Sequence, residues 1–322
     1  MNLYLYTIIY GFILIAALLV FFIIRDRRKP GLFFNRQKKI SLLIVILLLF
    51  GILTALYSTL IEPYLLTITR LEIKTSQLID IKIAFVSDIQ VGKHKKTAWV
   101  EKIVKKIQEQ KPDLVILGGD LIDNEGTFED ESRYLEPLKK LVGRYPIYYV
   151  LGNHEYGIGG AVRTRPEKYT GDRSQFLIDR MKNLGIPLLR NSLECEKVAN
   201  QDICLFGTDD IWKKAVNYTE LNKWDRTIPL ILVTHNPDGI LYYPTNLPAP
   251  ILTLAGHTHG GQIWLPIIGP LATAQTILDA TYYRGLNFFN NAPIYTSVGA
   301  GESGAPLRLF AVPEVVIIEL QP

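Results

Sequence analysis

Two uncharged stretches at the start of the chain limit its folding more than any other feature. Residues 1–24 and 40–61 contain no Asp, Glu, Lys or Arg and consist mostly of Leu, Ile, Val, Phe and Tyr. Each reaches the roughly 20 residues that a helix needs to cross a bilayer, where every backbone polar group must be satisfied within the segment. A secretory signal would open with basic residues and close on small ones. Here the apolar run begins at Met1 and its charges follow it. Two retained transmembrane helices are therefore expected, as a hairpin over residues 1–61.

The loop between the runs, "RDRRKPGLFFNRQKK", holds seven basic residues and one acid, whereas Glu62 to Asp80 holds two basic and three acidic residues. Lys and Arg accumulate on the cytoplasmic side of membrane helices. The loop is thus expected inside, and both ends of this two-pass chain, with the catalytic domain, outside the cytoplasm. That loop alone carries +6, so the net charge of +4 owes its sign to it. The remainder shows no basic stripe interleaved with aromatics, so no nucleic-acid partner is expected.

Beyond a connector at 62–78, apolar runs alternate with amphipathic segments to the end of the chain. "DIKIAFVSD" and "PDLVILGGD" read as buried strands, and Val100, Ile103, Val104 and Ile107 between them follow helical spacing. Strand, helix, strand in that order implies parallel pairing. Further helices are expected near Ser132–Val142 and Ser174–Leu184. Further strands are expected at "IYYVLGNHE", "DICLFG", "PLILVTH", "PILTLAGHTHG", "APIYTSVGAG", "LRLFAV" and "EVVIIEL", giving one α/β domain over 79–322.

The two cysteines, Cys195 and Cys204, flank a hairpin that would turn at Ala199 and Asn200, which sets them opposite each other. Two states stay open: reduced, partly buried thiols, or a cross-strand disulfide suited to an oxidising compartment.

Polar residues recur where the apolar runs stop. Asp88, Asp120, Asn153, His235, His257 and His259 each follow a strand-like run, and four of the chain's five histidines sit in these turns. Strand ends in an α/β sheet share an edge, so residues distant in sequence converge there. "GHTHGG" is the most telling: two histidines at i and i+2, flanked by glycines, suit a metal loop better than a packed core.

In order, "SDIQVG", "GGDLID", "GNHE", "THNPD" and "GHTHGGQ" resemble the motifs of the calcineurin-like metallophosphoesterase superfamily. With the membrane helices and the C-terminal "YYRGLNFFNNAPIYTSVGAGESGAPLRLFAVPEV", the chain looks like its membrane-anchored bacterial phosphoesterases, whose relatives act on lipid-linked phosphates and pyrophosphates. The resemblance implies a two-sheet sandwich flanked by helices and a dinuclear metal site. Asp88 and His259 would bind the first metal, with Gln90 where a histidine is usual. Asp120 would bridge, Asn153, His235 and His257 would complete the second site, and His154 would act on the phosphate. Oxygen and imidazole ligands without thiolate suit Mn²⁺, Fe or Zn²⁺. His94, four residues past Gln90, is the alternative to it.

Asp123 is a candidate second carboxylate behind a ligating imidazole, and Arg163, Arg165 and Lys168 are candidates for a second phosphate or an anionic headgroup. The expected partners are the bilayer and a phosphorylated, lipid-linked substrate. Two rivals accompany this reading: a UDP-2,3-diacylglucosamine-type pyrophosphate hydrolase, and a catalytically inactive membrane scaffold or phosphate-binding protein.

Overall fold

A computed structural model describes residues 2–75, 77, 79–124, 130–159, 171–271, 276–304 and 306–322. The apolar stretches form α1 (Asn2–Arg27) and α3 (Lys38–Leu56), joined by the basic loop with its short helix α2 (Phe33–Arg36). Both long helices are long and apolar enough to cross a membrane. Their Ile, Leu and Phe side chains, such as Leu14, Ile15, Leu47 and Phe50, face outward, as lipid contact requires. After α3 the chain winds through a π turn, Tyr57–Ile61, into a 3₁₀ turn, Glu62–Tyr64.

Thirteen strands follow among the described residues: β1 (Thr67–Lys74), β2 (Ile81–Val86), β3 (Leu114–Leu117), β4 (Ile147–Tyr149), β5 (Ser192–Val198), β6 (Gln201–Gly207), β7 (Leu230–Val233), β8 (Leu252–Ala255), β9 (Trp264–Leu265), β10 (Gly269–Pro270), β11 (Gly285–Phe289), β12 (Ala292–Thr296) and β13 (Glu314–Gln321). One sheet runs β1-β13-β2-β3-β4 and the other β11-β12-β8-β7-β6-β5, with β9 and β10 a separate hairpin. The central strands β2, β3 and β4 are parallel, as are β6, β7, β8 and β12. Being covered on both faces, they read as continuous apolar runs such as "LVIL".

The sheets pack face to face. Ile83, Phe85, Leu114, Ile116 and Ile318 of the first form one buried cluster with Leu205, Ile231, Val233, Leu252 and Leu254 of the second. Each such side chain contributes about 1.5–3 kcal/mol by leaving water. Helix α4 (Thr97–Gln110), with Val100, Ile103, Val104 and Ile107 buried, and helix α5 (Ser174–Leu184) cover the outer face of the first sheet. The expected helix near Ser132–Val142 is a 3₁₀ helix over Glu131–Lys140 containing Pro137, whose ring prevents regular α bonding.

Two segments differ from expectation. Within the stretch read as a connector, residues 67–74 form β1, hydrogen-bonded in parallel to β13 from Thr67–Glu314 to Lys74–Gln321. Its polar side chains fit an edge position with one solvated face. "LRLFAV" is not a strand: only Leu309 bridges, to Ile263, and Phe310 has φ 56°. The chain there turns Arg308 fully inward.

The β5–β6 hairpin turns at Ala199 and Asn200, both at positive φ, and pairs Cys195 with Cys204. The two cysteines form a disulfide. Replacing both with alanine is expected to lower stability by about 2–3 kcal/mol, the loop-closure entropy of so short a ring. An unchanged thermal midpoint of the detergent-solubilised protein would argue against the bridge.

Candidate active site

The strand ends β2, β3, β4, β7 and β8 bring every expected motif to one edge of the sandwich. Asp88 leaves β2 and accepts from His257 N at 3.0 Å on both carboxylate oxygens, which stitches the first sheet to the loop after β8. His259 Nε2 lies 3.5 Å from Asp88 Oδ1. Asp120 accepts from His154 N at 2.8 Å through Oδ1, and its Oδ2 faces His235 Nε2 at 3.1 Å. Asn153 donates its amide to Ile158 O, which turns Oδ1 toward His257 Nδ1, 2.8 Å away. All seven expected ligands and His154 are thus in one connected cluster, each at most 9% exposed.

The backbone here is bent into conformations that side chains avoid. Asp88, Gln90, Asp120, His257 and His259 all have φ between 45° and 70°. Left-handed non-glycine residues cost free energy, and a run of them at one edge marks a functional site. Gly119, at φ +86°, lets the chain pass where a Cβ would lie 2.7 Å from His235 Nδ1.

The donor set fits a divalent metal. The His235 Nδ1 proton is taken by Gly118 O, 2.8 Å away, which leaves the Nε2 lone pair pointing at the Asp120 carboxylate. Two electron-rich atoms 3.1 Å apart need a cation between them: a proton on the imidazole, or a metal. Without a metal the proton takes that place. Burial opposes a charged imidazole, but Asp120 outweighs it and raises the His235 pKa well above the usual range. Burial likewise pushes the Asp120 carboxyl up, and His235 and His154 more than reverse this, so it stays below its usual value. Ligand atoms of Asp120, His235 and His257 all lie within 4.8 Å of one another, a spacing one ion can span.

Gln90 stands in the same cluster. Its Nε2 lies 3.3 Å from His154 Nε2, and its buried Oε1 has no hydrogen-bond partner among the described residues. A buried amide oxygen left without a donor is what a hard cation would satisfy. His94 sits half-buried on the bend that Gly92 N closes to Lys95 O, beyond the Val91–Ile122 bridge. His154 is held by Nδ1 on Asp123 O at 2.6 Å, with Nε2 near Gln90 and Ser303 Oγ. Asp123 thus supports His154 through its backbone carbonyl. Arg163, Arg165 and Lys168 lie outside the described residues.

Three participants escaped the sequence reading. Glu155, in "GNHE", is buried and accepts from the backbone N–H groups of Asp120, Leu121, Ile122 and Gly152 at 2.7–3.2 Å, locking the β3 and β4 loops together. Arg308 donates to Val298 O and Gly301 O and stands 3.4 Å from His259 Nδ1. Burial and then Arg308 keep that imidazole neutral, well below its usual pKa, the form that ligates metals. Asp210 follows β6 as Asp88 follows β2. Burial lifts it to about 7, and its position after "FG" was the available signal.

A mixed two-sheet sandwich with a buried Asp–His–Asn cluster at its strand ends, able to hold a metal, defines a metallophosphoesterase. Residues 81–261 match the calcineurin-like phosphoesterase family, and the chain belongs to it. The chain is 28% identical to the uncharacterized metallophosphoesterase YkuE of Bacillus subtilis, over 82% of this chain and 89% of the relative. It is 32% identical to phosphodiesterase YaeI of Escherichia coli, over 74% of this chain and 82% of that protein. A transmembrane protein with metallophosphoesterase domain from Danio rerio is 26% identical, over 75% of this chain and 53% of its own length. The chain is thus a phosphoesterase whose N-terminal part carries two helices long and apolar enough to cross a membrane.

Replacement of Gln90 tests the orphaned oxygen. Gln90→Ala is expected to weaken metal binding by roughly 10- to 100-fold, and Gln90→His to tighten it. Calorimetric titration with Mn²⁺ reads both, and equal affinity in Gln90→Ala and wild type would remove Gln90 from the ligands.

Proposed function

We propose that the protein is a membrane-anchored hydrolase that uses a dinuclear metal site to cleave a phosphomonoester, phosphodiester or pyrophosphate of a lipid-linked substrate. The observation that carries this reading is His235 Nε2 set 3.1 Å from the Asp120 carboxylate, beside the unpartnered Gln90 oxygen. Asp88, Gln90, His259 and Asp120 would hold one ion. Asp120, Asn153, His235 and His257 would hold the other, with Mn²⁺, Fe or Zn²⁺ all compatible with the donors. When bound, such a pair of ions lowers the pKa of water and clamps phosphoryl oxygens for in-line attack.

The protein's own residues do the rest. Asp120 would offset part of the repulsion between two such cations. His154 is aimed at the cluster by Asp123 O, with Nε2 3.9 Å from Asp120 Oδ2. From there it donates a hydrogen bond or a proton to the leaving oxygen. The Gly301 and Gly118 carbonyls face Nδ1 of His259 and His235 at 3.3 and 2.8 Å and so keep Nε2 of both rings turned toward the cluster. The anchor restricts useful encounters to substrates presented at the same membrane, which favours a lipid-linked phosphate.

The domain is read as extracytoplasmic. The basic loop between α1 and α3 supports this orientation, as does the Cys195–Cys204 disulfide, since such bonds persist in oxidising compartments. It disfavours a UDP-2,3-diacylglucosamine-type hydrolase, because nucleotide-linked precursors are made in the cytoplasm. The inactive scaffold is disfavoured by the completeness of the ligand set.

Asp120→Asn is expected to abolish hydrolysis of bis-p-nitrophenyl phosphate in Mn²⁺ while the thermal midpoint stays close to wild type; activity within about tenfold of wild type would exclude a bridging carboxylate. For topology, a periplasmic-type reporter fused after Pro322 is expected to be active. Strong activity of a cytoplasmic reporter at that position would reverse the orientation and reopen the nucleotide-lipid reading.

A further inference from the structure

The hairpin that follows the second histidine motif carries, in Ile267, the most exposed apolar side chain among the described residues. Among the described residues β9 and β10 form a two-stranded sheet of their own, Leu265 opposite Gly269 and Trp264 opposite Pro270. At the tip Ile267 and Ile268 are 107% and 72% exposed, and Leu271 on the return is exposed as well. Ile267 has φ 71°, a conformation that Gly or Asn takes with less strain than a β-branched residue. Adjacent isoleucines projected into water from a turn mark an interaction surface.

The position of the hairpin identifies its partner. At the root, Trp264 N donates to Leu309 O and Leu309 N to Gln262 O. The adjoining Arg308 N donates to Ser58 O, in the last turns of the second apolar helix. Glu62, just past that helix, accepts from Ala311 N at 2.7 Å. The hairpin root is therefore one strand spacing, about 5 Å, from a segment bonded to the helix where it leaves the bilayer. Arg284 stacks 4.1 Å over the Trp264 ring and donates to Phe310 O, and Phe310 is exposed beside them. An indole with a guanidinium at this depth suits the headgroup region, where aromatic rings settle and cations meet lipid phosphates.

On the reading of α1 and α3 as membrane helices, we propose that the β9–β10 hairpin inserts its Ile267–Ile268 tip into the acyl boundary of the bilayer that holds the anchor. Only four residues separate His259 from Trp264, and Gly261, at φ +75°, lets Pro270 fold back against the ligand loop. The inserted hairpin sets the metal cluster at headgroup level, where a lipid-linked phosphate resides.

The test uses the full-length protein in nanodiscs of phosphatidylcholine and phosphatidylglycerol, one molecule per disc. Ile268→Cys, and separately Ile267→Cys, carries an environment-sensitive NBD fluorophore, with Lys223→Cys as the exposed control. The expected result is a blue-shifted emission at 267 and 268 that nitroxide lipids quench several-fold more strongly than at 223. Water-like, unquenched emission at both tip positions overturns the proposal. A shift that appears only in discs carrying two copies assigns the tip to a self-contact and overturns it too. The optical readout needs no turnover, so an inactive enzyme would count against the proposed hydrolysis alone. In an active preparation, Ile267→Ser with Ile268→Ser is expected to slow cleavage of a bilayer-embedded phosphoester several-fold and to spare soluble bis-p-nitrophenyl phosphate; equal rates on the bilayer substrate oppose the proposal.

Discussion

Burying several carboxylates at one edge of a protein is the constraint that shapes this molecule. Asp88, Asp120, Glu155 and Asp210 are each at most 1% exposed, and a charge removed from water is costly unless it is paired and hydrogen-bonded. The structure divides the task. Glu155 is satisfied entirely by backbone N–H groups, so it acts as an internal clamp. Asp88 and Asp120 accept backbone hydrogen bonds as well but keep oxygen toward the imidazoles. The pKa directions record the difference: Asp120 is lowered by its histidine neighbours, whereas burial lifts Asp88 to about 6 and Glu155 to about 7. Divalent cations among the ligands would remove most of this imbalance, which makes the site a place that stores unfavourable electrostatics for use in binding.

A second polar network ties the anchor to that site. Lys95 is buried, donates to Pro63 O, pairs with Glu302 at 3.3 Å and lies over the rings of Trp99 and Tyr64 at 3.7 and 3.9 Å. Burial lowers its pKa to about 8 despite the partner carboxylate. Glu302 also lies 3.8 Å from Arg308, and Arg308 bonds to Ser58 through its backbone and reaches His259 with its side chain. The catalytic domain is therefore joined to the end of the apolar helix by buried hydrogen bonds and ion pairs. This contrasts with a tether of flexible chain, which would leave the orientation of the site to chance.

The same arrangement explains why β1 matters. By pairing with the C-terminal strand β13 it places the end of the apolar helix beside the loop that precedes β13, and that loop supplies Arg308, Phe310 and Ala311 to the junction. Edge pairing of this kind extends the sheet and fixes the end of the apolar helix relative to the Asp–His–Asn cluster in one step.

Much of this was written in local pattern. Uncharged runs of bilayer length, continuous apolar strands, the helical spacing of Val100, Ile103, Val104 and Ile107, the hairpin register of Cys195 and Cys204, and polar residues at strand ends all depend on neighbours close in sequence. Periodicity reports them directly. The sequence by itself thus determined the two apolar helices, the α/β alternation and six of the residues that meet at the sheet edge, while Gln90 and His154 came from the family resemblance. Tertiary structure alone decided what those residues do to one another. Whether the cysteines join, whether Asp123 backs a ligand or His154, why Glu155 faces backbone amides, and how Arg308 reaches both Ser58 and His259 are set by contacts across up to about 250 positions of chain. Such contacts leave no periodic trace, because their energy comes from burial and hydrogen-bond geometry that exist only once the two sheets have packed.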